Sequence, residues 1–173
     1  MPDLATLPRD ASVFVDTNIF DLHYQGRSAT CSAFMARVAS GEVTAYVNTQ
    51  VLSDLLHKLM LAEACFKGYI AKRRALELKQ WLSANRALAT NLTDCQTQFE
   101  NTLRIGLKVL RITKTILVET KTERAAFGLM TGDSIHLGNM NRHSVPLADI
   151  VTHDGDFTHV TGLNVWQPMD VTP

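Results

Sequence analysis

The sequence predicts a three-layer α/β domain on a central parallel sheet of four to five strands, and three observations carry that expectation. Short apolar runs rich in β-branched and aromatic residues recur along the chain, as fully buried parallel strands require. Stretches of helical periodicity separate them, the alternation that builds a parallel sheet covered on both faces. No Pro- or Gly-rich linker and no internal repeat divides the 173 residues, 46% of them hydrophobic. One domain over 1–173, with its core from about residue 12 to 167, is therefore expected.

In chain order, SVFV at 12–15 is the first strand and TAYVN at 44–48 the second. ADIVT at 148–152 reads in the same way, whereas 109–112 and 164–167 are weaker strand candidates. Helical patterns cover 29–39, 51–62, 69–82, 93–107, 114–127 and 133–142. In open α/β sheets functional groups collect at the carboxyl ends of the strands, near a switch in strand order. Two of these runs end in acid: VFVDTN places Asp16 after the first, and IVTHDGDF places Asp154 and Asp156 after the run at 148–152.

Composition narrows the function classes. Seventeen basic and 17 acidic residues give a formal net charge of zero, so any nucleic-acid site must be local rather than a property of the whole surface. Cys31, Cys65 and Cys95 are odd in number and widely spaced, and they read as reduced core thiols rather than zinc or redox ligands. The opening MPDLATLPRD has no apolar signal region, and no run is long enough to cross a bilayer. A cytoplasmic protein with no membrane partner is expected.

Two further acids suit the same sheet edge. TGDSIHLG is a turn opening a helix, with Asp133 in its first turn, where the macrodipole favours an anion. In NTQVLSDLL, Asp54 falls among leucines one turn inside a helix, a poor place for an aspartate, with Leu55 and Leu56 towards the core and Asp54 near the rim. Each acid has an ordinary reading too: Asp16 as a helix N-cap, Asp133 as a dipole partner, Asp154 as a turn former, Asp54 as a solvated side chain or a partner of Lys58 at i+4. Were the four to converge, two carboxylates about 4 Å apart would repel by roughly 4 kcal/mol at an effective dielectric near 20. Such a cluster needs a cation, and all-oxygen ligands without histidine or thiolate clusters point to Mg²⁺ or Mn²⁺ and to phosphate chemistry.

The ordered set VFVDTNIF, TQVLSDLL, TGDSIHLG and IVTHDGDF resembles the PIN-domain ribonucleases, and among them the VapC-type toxins of toxin–antitoxin pairs. The resemblance implies a PIN-like sandwich of helices around a parallel sheet, and an acidic site that binds one or two divalent ions and cleaves RNA, in relatives transfer or ribosomal RNA. It makes Asp16, Asp133 and Asp154 the metal ligands, with Asp156 in support and Thr17, Asn18 and Thr152 orienting carboxylates or water. Asp54 departs from the pattern, which more often has glutamate, and stands as either a metal ligand or a general base. A homodimer and a cognate antitoxin are implied as well. His136 and His153 neighbour Asp133 and Asp154, but the resemblance gives histidine at the first of these positions no role as a metal ligand.

Lys67, Lys72, Arg73, Arg74, Lys79 and Arg86 face only Glu77 in sequence, the best local basic patch. Lys72, Arg73, Arg74 and Lys79 are its RNA-contact candidates, with Tyr69 and Trp81 as base stackers or core residues. Two rivals are a PIN-like RNA-binding module without catalysis and a Mg²⁺-dependent phosphatase. The second wants Asp-x-Asp after the first strand, where this chain has Asp16-Thr17-Asn18.

Overall fold

The computed structural model describes residues 1–144 and 147–171. They fall into two compact units, one formed by Met1–Leu52 with Ile105–Pro173 and the other by Ser53–Arg104.

In the first unit, β1 (Ser12–Val15), β2 (Thr44–Asn48), β3 (Lys108–Leu110), β4 (Asp149–Val151) and β5 (Asn164–Trp166) form a sheet in the order β3-β2-β1-β4-β5. Every adjacent pair is parallel. All five strand candidates are thus present, the weaker two as three-residue edge strands. Val13, Phe14 and Val15 are all fully buried, and because successive residues of a strand point to opposite faces, the sheet is covered on both sides. Ile150 and Val151 of β4 and Val47 of β2 complete the same core.

Chain order runs outward from β1 to β2 and β3 on one side, and returns to β4 and β5 on the other. The switch point therefore lies between β1 and β4, where Phe14 and Val15 stand opposite Ile150 and Val151.

The connecting helices in this unit are α1 (Thr17–Tyr24), α2 (Ala29–Ala39), the start of α3 (Thr49–Phe66), α6 (Lys114–Glu119), α7 (Lys121–Phe127) and α8 (Thr131–Asn141). Helix α1 escapes the periodicity reading because Asn18, Asp21 and His23 interrupt its apolar stripe of Ile19, Phe20 and Leu22. The helix expected over 114–127 is two helices, parted at Thr120, whose buried hydroxyl bonds back to the Leu117 carbonyl at 3.2 Å. Gly138 of α8 packs onto Thr120 so closely that a Cβ there would collide with the threonine methyl.

The second unit holds the rest of α3, α4 (Ala75–Ala84) and α5 (Asp94–Arg104) around Leu61, Ala64, Ile70 and Leu78. The helix expected over 69–82 begins only at Ala75. Gly68, at φ 72°, turns the chain out of α3 in the left-handed conformation, and the Tyr69 amide bonds the Ala64 carbonyl at 2.9 Å. Tyr69 and Trp81 stack on each other, ring centroids 4.3 Å apart, so the pair serves this small core rather than standing free. Among the described residues no helix is long and apolar enough to cross a membrane.

Candidate active site

Asp16 follows β1 directly and opens α1, so its carboxylate serves both neighbours. Its Oδ1 accepts the Thr17 amide at 2.6 Å as a helix N-cap. Its Oδ2 accepts Asn18 Nδ2 at 2.5 Å and the Thr152 hydroxyl at 2.7 Å. Capping and site-building, alternatives in sequence, are here performed by one side chain.

Thr152, fully buried at the end of β4, is the hub of this arrangement. Its hydroxyl oxygen also accepts Asn18 Nδ2 and the Asp154 amide, both at 3.0 Å. Asn18 Oδ1 accepts the His153 amide at 2.9 Å, which ties the loop after β4 to the first turn of α1. Asp154 Oδ1 in turn accepts the Asp156 amide at 3.0 Å, ordering the turn that carries the second acid.

Asp133 arrives from α8, half-buried in its first turn. Burial, and then the negative charges of Asp154, Asp16 and Asp156, push its carboxyl up to about 6. Four of the acids singled out in sequence thus feel one another at the carboxyl edge of the sheet. Asp54 belongs to the second unit, where it is exposed on α3 with Leu55 buried beside it.

A switch in strand order, all-parallel strands, and acids gathered at the carboxyl edge invite comparison with solved structures. A chain of VapBC2 from Rickettsia felis, bound to a DNA fragment from its promoter, superposes with a TM-score of 0.52 at 14% identity, over 90% of this chain and 98% of that one. A chain of a toxin–antitoxin complex from Klebsiella pneumoniae does so with a TM-score of 0.56 at 17% identity, over 92% and 100%. The fold is PIN-like. No protein-family model and no curated protein matches the sequence.

Within this PIN-like frame, the remaining predicted residues separate cleanly. His136 is buried, its Nδ1 2.9 Å from Asn48 Nδ2 and its ring 5.4 Å from that of Phe14, which makes it a core residue. His153 is exposed. In the second unit Lys72, Arg74 and Lys79 are exposed, whereas Arg73 donates to the Lys58 carbonyl at 3.3 Å. Lys67 pairs with Glu63 at 2.5 Å and with Asp94 at 3.4 Å, so it leaves the expected basic patch.

Two residues at the site go beyond the sequence reading. Asn48, at the end of β2, caps α3 by accepting the Val51 amide at 3.0 Å and donates to Asn139 Oδ1 at 3.2 Å, fixing α8 and hence Asp133 against the sheet. Gln50 places Nε2 only 3.1 Å from the point a Cβ of Gly132 would occupy, immediately before Asp133. An Asn ending a strand is a readable cap signal, but nothing local in Gln50 marks it.

The oxygen donors suit a hard divalent cation. As the side chains stand, however, no group of three or more His, Cys, Asp or Glu residues among the described ones is placed so that it could hold a metal ion.

Proposed function

We propose that this chain is a divalent-metal-dependent endoribonuclease, the toxin of a toxin–antitoxin pair, hydrolysing phosphodiester bonds in structured RNA such as transfer or ribosomal RNA in the cytoplasm. The observation that carries the reading is the Asp133 carboxyl, raised to about 6 by burial and by three neighbouring acids at the switch point of a PIN-like sheet. An uncompensated excess of negative charge there suits a site that takes a cation and a phosphate together.

Asp16, Asp133 and Asp154 would hold Mg²⁺ or Mn²⁺, with Asp156 in support. When bound, the ion supplies Lewis acidity and lowers the pKa of water. Thr17, Asn18 and Thr152 hold the Asp16 carboxylate in one orientation through three bonds, with a fourth joining Asn18 to Thr152, so its oxygens need no reordering when charge develops. Asp54 serves as a ligand or as general base to the attacking water. Lys72, Arg73, Arg74 and Lys79 contact RNA, and a cognate antitoxin and a homodimer complete the assembly.

The test is a cleavage assay on total transfer and ribosomal RNA, with Mg²⁺ or Mn²⁺ and with EDTA. Metal-dependent cleavage that is lost in Asp16→Asn is expected; cleavage unchanged by EDTA or by the substitution overturns the reading. RNA binding without any cleavage favours the non-catalytic module, which the exposed and shortened Asp54 would suit. Size-exclusion of the purified chain tests the dimer.

A further inference from the structure

Along the carboxyl edge of the sheet, Asp16 is not the last functional position. Register places Phe14 opposite Tyr46, and Asn48 opposite Leu110. Continuing it sets Asp16, Asn48 and Leu110 level on three neighbouring strands. Strands lie about 4.8 Å apart, so Arg111, the residue after β3, stands on the order of 10 Å from Asp16 along one edge.

At that end the structure opens a groove of about 360 Å³, lined among others by Arg111, Thr113, Thr115, Asn139, Arg142 and His143. Asn139 Nδ2 donates to the Arg111 carbonyl at 3.1 Å, so the groove floor is braced by the helix that carries Asp133. Its charge is unbalanced. Arg142 is consumed by Glu119 at 2.8 Å and Glu123 at 2.6 Å, which also removes both those carboxylates from competition. The exposed Arg111 guanidinium makes no hydrogen bond or ion pair with another described residue. Lys108, over the Tyr46 ring at 5.4 Å, and the exposed Lys114 flank it in the run KVLRITK.

We infer that this groove binds the phosphodiester backbone of a single RNA strand whose neighbouring phosphate lies at the acids. The planar guanidinium matches two non-bridging phosphate oxygens, and hydroxyl groups such as that of Thr115 add neutral donors. The occupant is a strand rather than a free nucleotide, because Arg111 and Asp16 follow strands two apart in one parallel sheet, a span that one nucleotide does not cover. The inference extends the nuclease reading to a second site, and binding tests it apart from cleavage.

The experiment is fluorescence anisotropy of a short labelled single-stranded RNA with the full chain in EDTA, over a salt series. Arg111→Glu is expected to weaken binding about tenfold or more and to lower the salt slope by roughly 0.7 for each lost phosphate contact. Arg111→Lys should restore most of the affinity, and Arg9→Ala, a cation exposed beside Glu42, should leave it unchanged. With metal present, Arg111→Glu should raise KM while kcat at saturating RNA holds. Binding by Arg111→Glu within twofold of wild type at an unchanged melting temperature overturns the groove alone. A chain that binds through Arg111 yet cuts nothing supports the groove and overturns the nuclease reading. Should Arg111→Glu instead dissociate a dimer and leave RNA affinity unmoved, the groove is an interface between copies and the inference fails.

Discussion

Two carboxylates, one in each unit, face opposite electrostatic fates. Glu63 of α3 is 6% exposed, and burial alone would raise its carboxyl; the Lys67 ammonium and the amides of Cys95 and Asp94 outweigh that and hold it down at about 2. Its oxygens accept the Thr93, Asp94 and Cys95 amides at 2.9, 3.1 and 2.8 Å, so it caps α5 from outside the helix. Asp133 is pushed the other way, by burial first and then by the charges of Asp154, Asp16 and Asp156. The difference teaches what surroundings do to a carboxyl: donors built into the chain hold the first as its anion, and burial among other acids pushes the second towards its protonated form.

The sharpest way to break the comparison is at Asp16. Asp16→Asn should lower metal-dependent RNA cleavage by about a hundredfold or more while circular dichroism still reports the folded state. An equal loss from Glu63→Gln would erase the distinction.

Next in size is Glu63→Ala, which strands three amide donors at the start of α5 and should cost about 2 kcal/mol by urea denaturation. Glu63 has a folded-state pKa below its ordinary 4.5, so its contribution is complete above pH 4.5 and is lost as pH falls towards 2. Glu63→Gln should remove that part of the acid limb.

Asp133→Asn should act with the opposite sign. A carboxyl raised from 3.8 to about 6 favours the folded state below pH 3.8, and that advantage is lost as pH rises through 6. In EDTA at pH 7 the variant should therefore be more stable than wild type, on the order of 1 kcal/mol after allowance for solvent screening, and equal to it at pH 3.5. Mg²⁺ or Mn²⁺ at pH 7 should raise the melting temperature of wild type and leave Asp133→Asn nearly unmoved.

The smallest effect concerns Gly132. An alanine there crowds Gln50 Nε2, so Gly132→Ala should alter cleavage by a few-fold and stability by less than about 1 kcal/mol. Gln50→Ala combined with it should add nothing further if the amide is the only group displaced, which a double-mutant cycle reads directly.

Much of this was legible residue by residue. The apolar runs at 12–15 and 44–48 became strands with the expected bounds, because β-branched residues between polar ends report burial locally. Asp16 was legible as an acid ending a strand, whereas Thr17, Asn18 and Thr152 came only from the family resemblance, and all three bond its carboxylate in the structure. Where local pattern failed, the cause was a tertiary or backbone event: the left-handed Gly68 delayed α4, and the helix expected over 114–127 parted at Thr120, whose hydroxyl bonds back to the Leu117 carbonyl. The basic patch thinned because Lys67 found Glu63, a pairing that matters only once α5 presents its amides.

By itself the sequence determined which segments would be strands, that acids would follow two of them, and that the whole surface would carry no net charge, since periodicity and composition report burial and charge without reference to neighbours. Tertiary structure alone decided that β1 lies between β2 and β4, and so that Thr152 bonds an aspartate 136 residues away. It alone set Arg111 on the same edge. Strand order is fixed by packing among distant segments, and no local period encodes it.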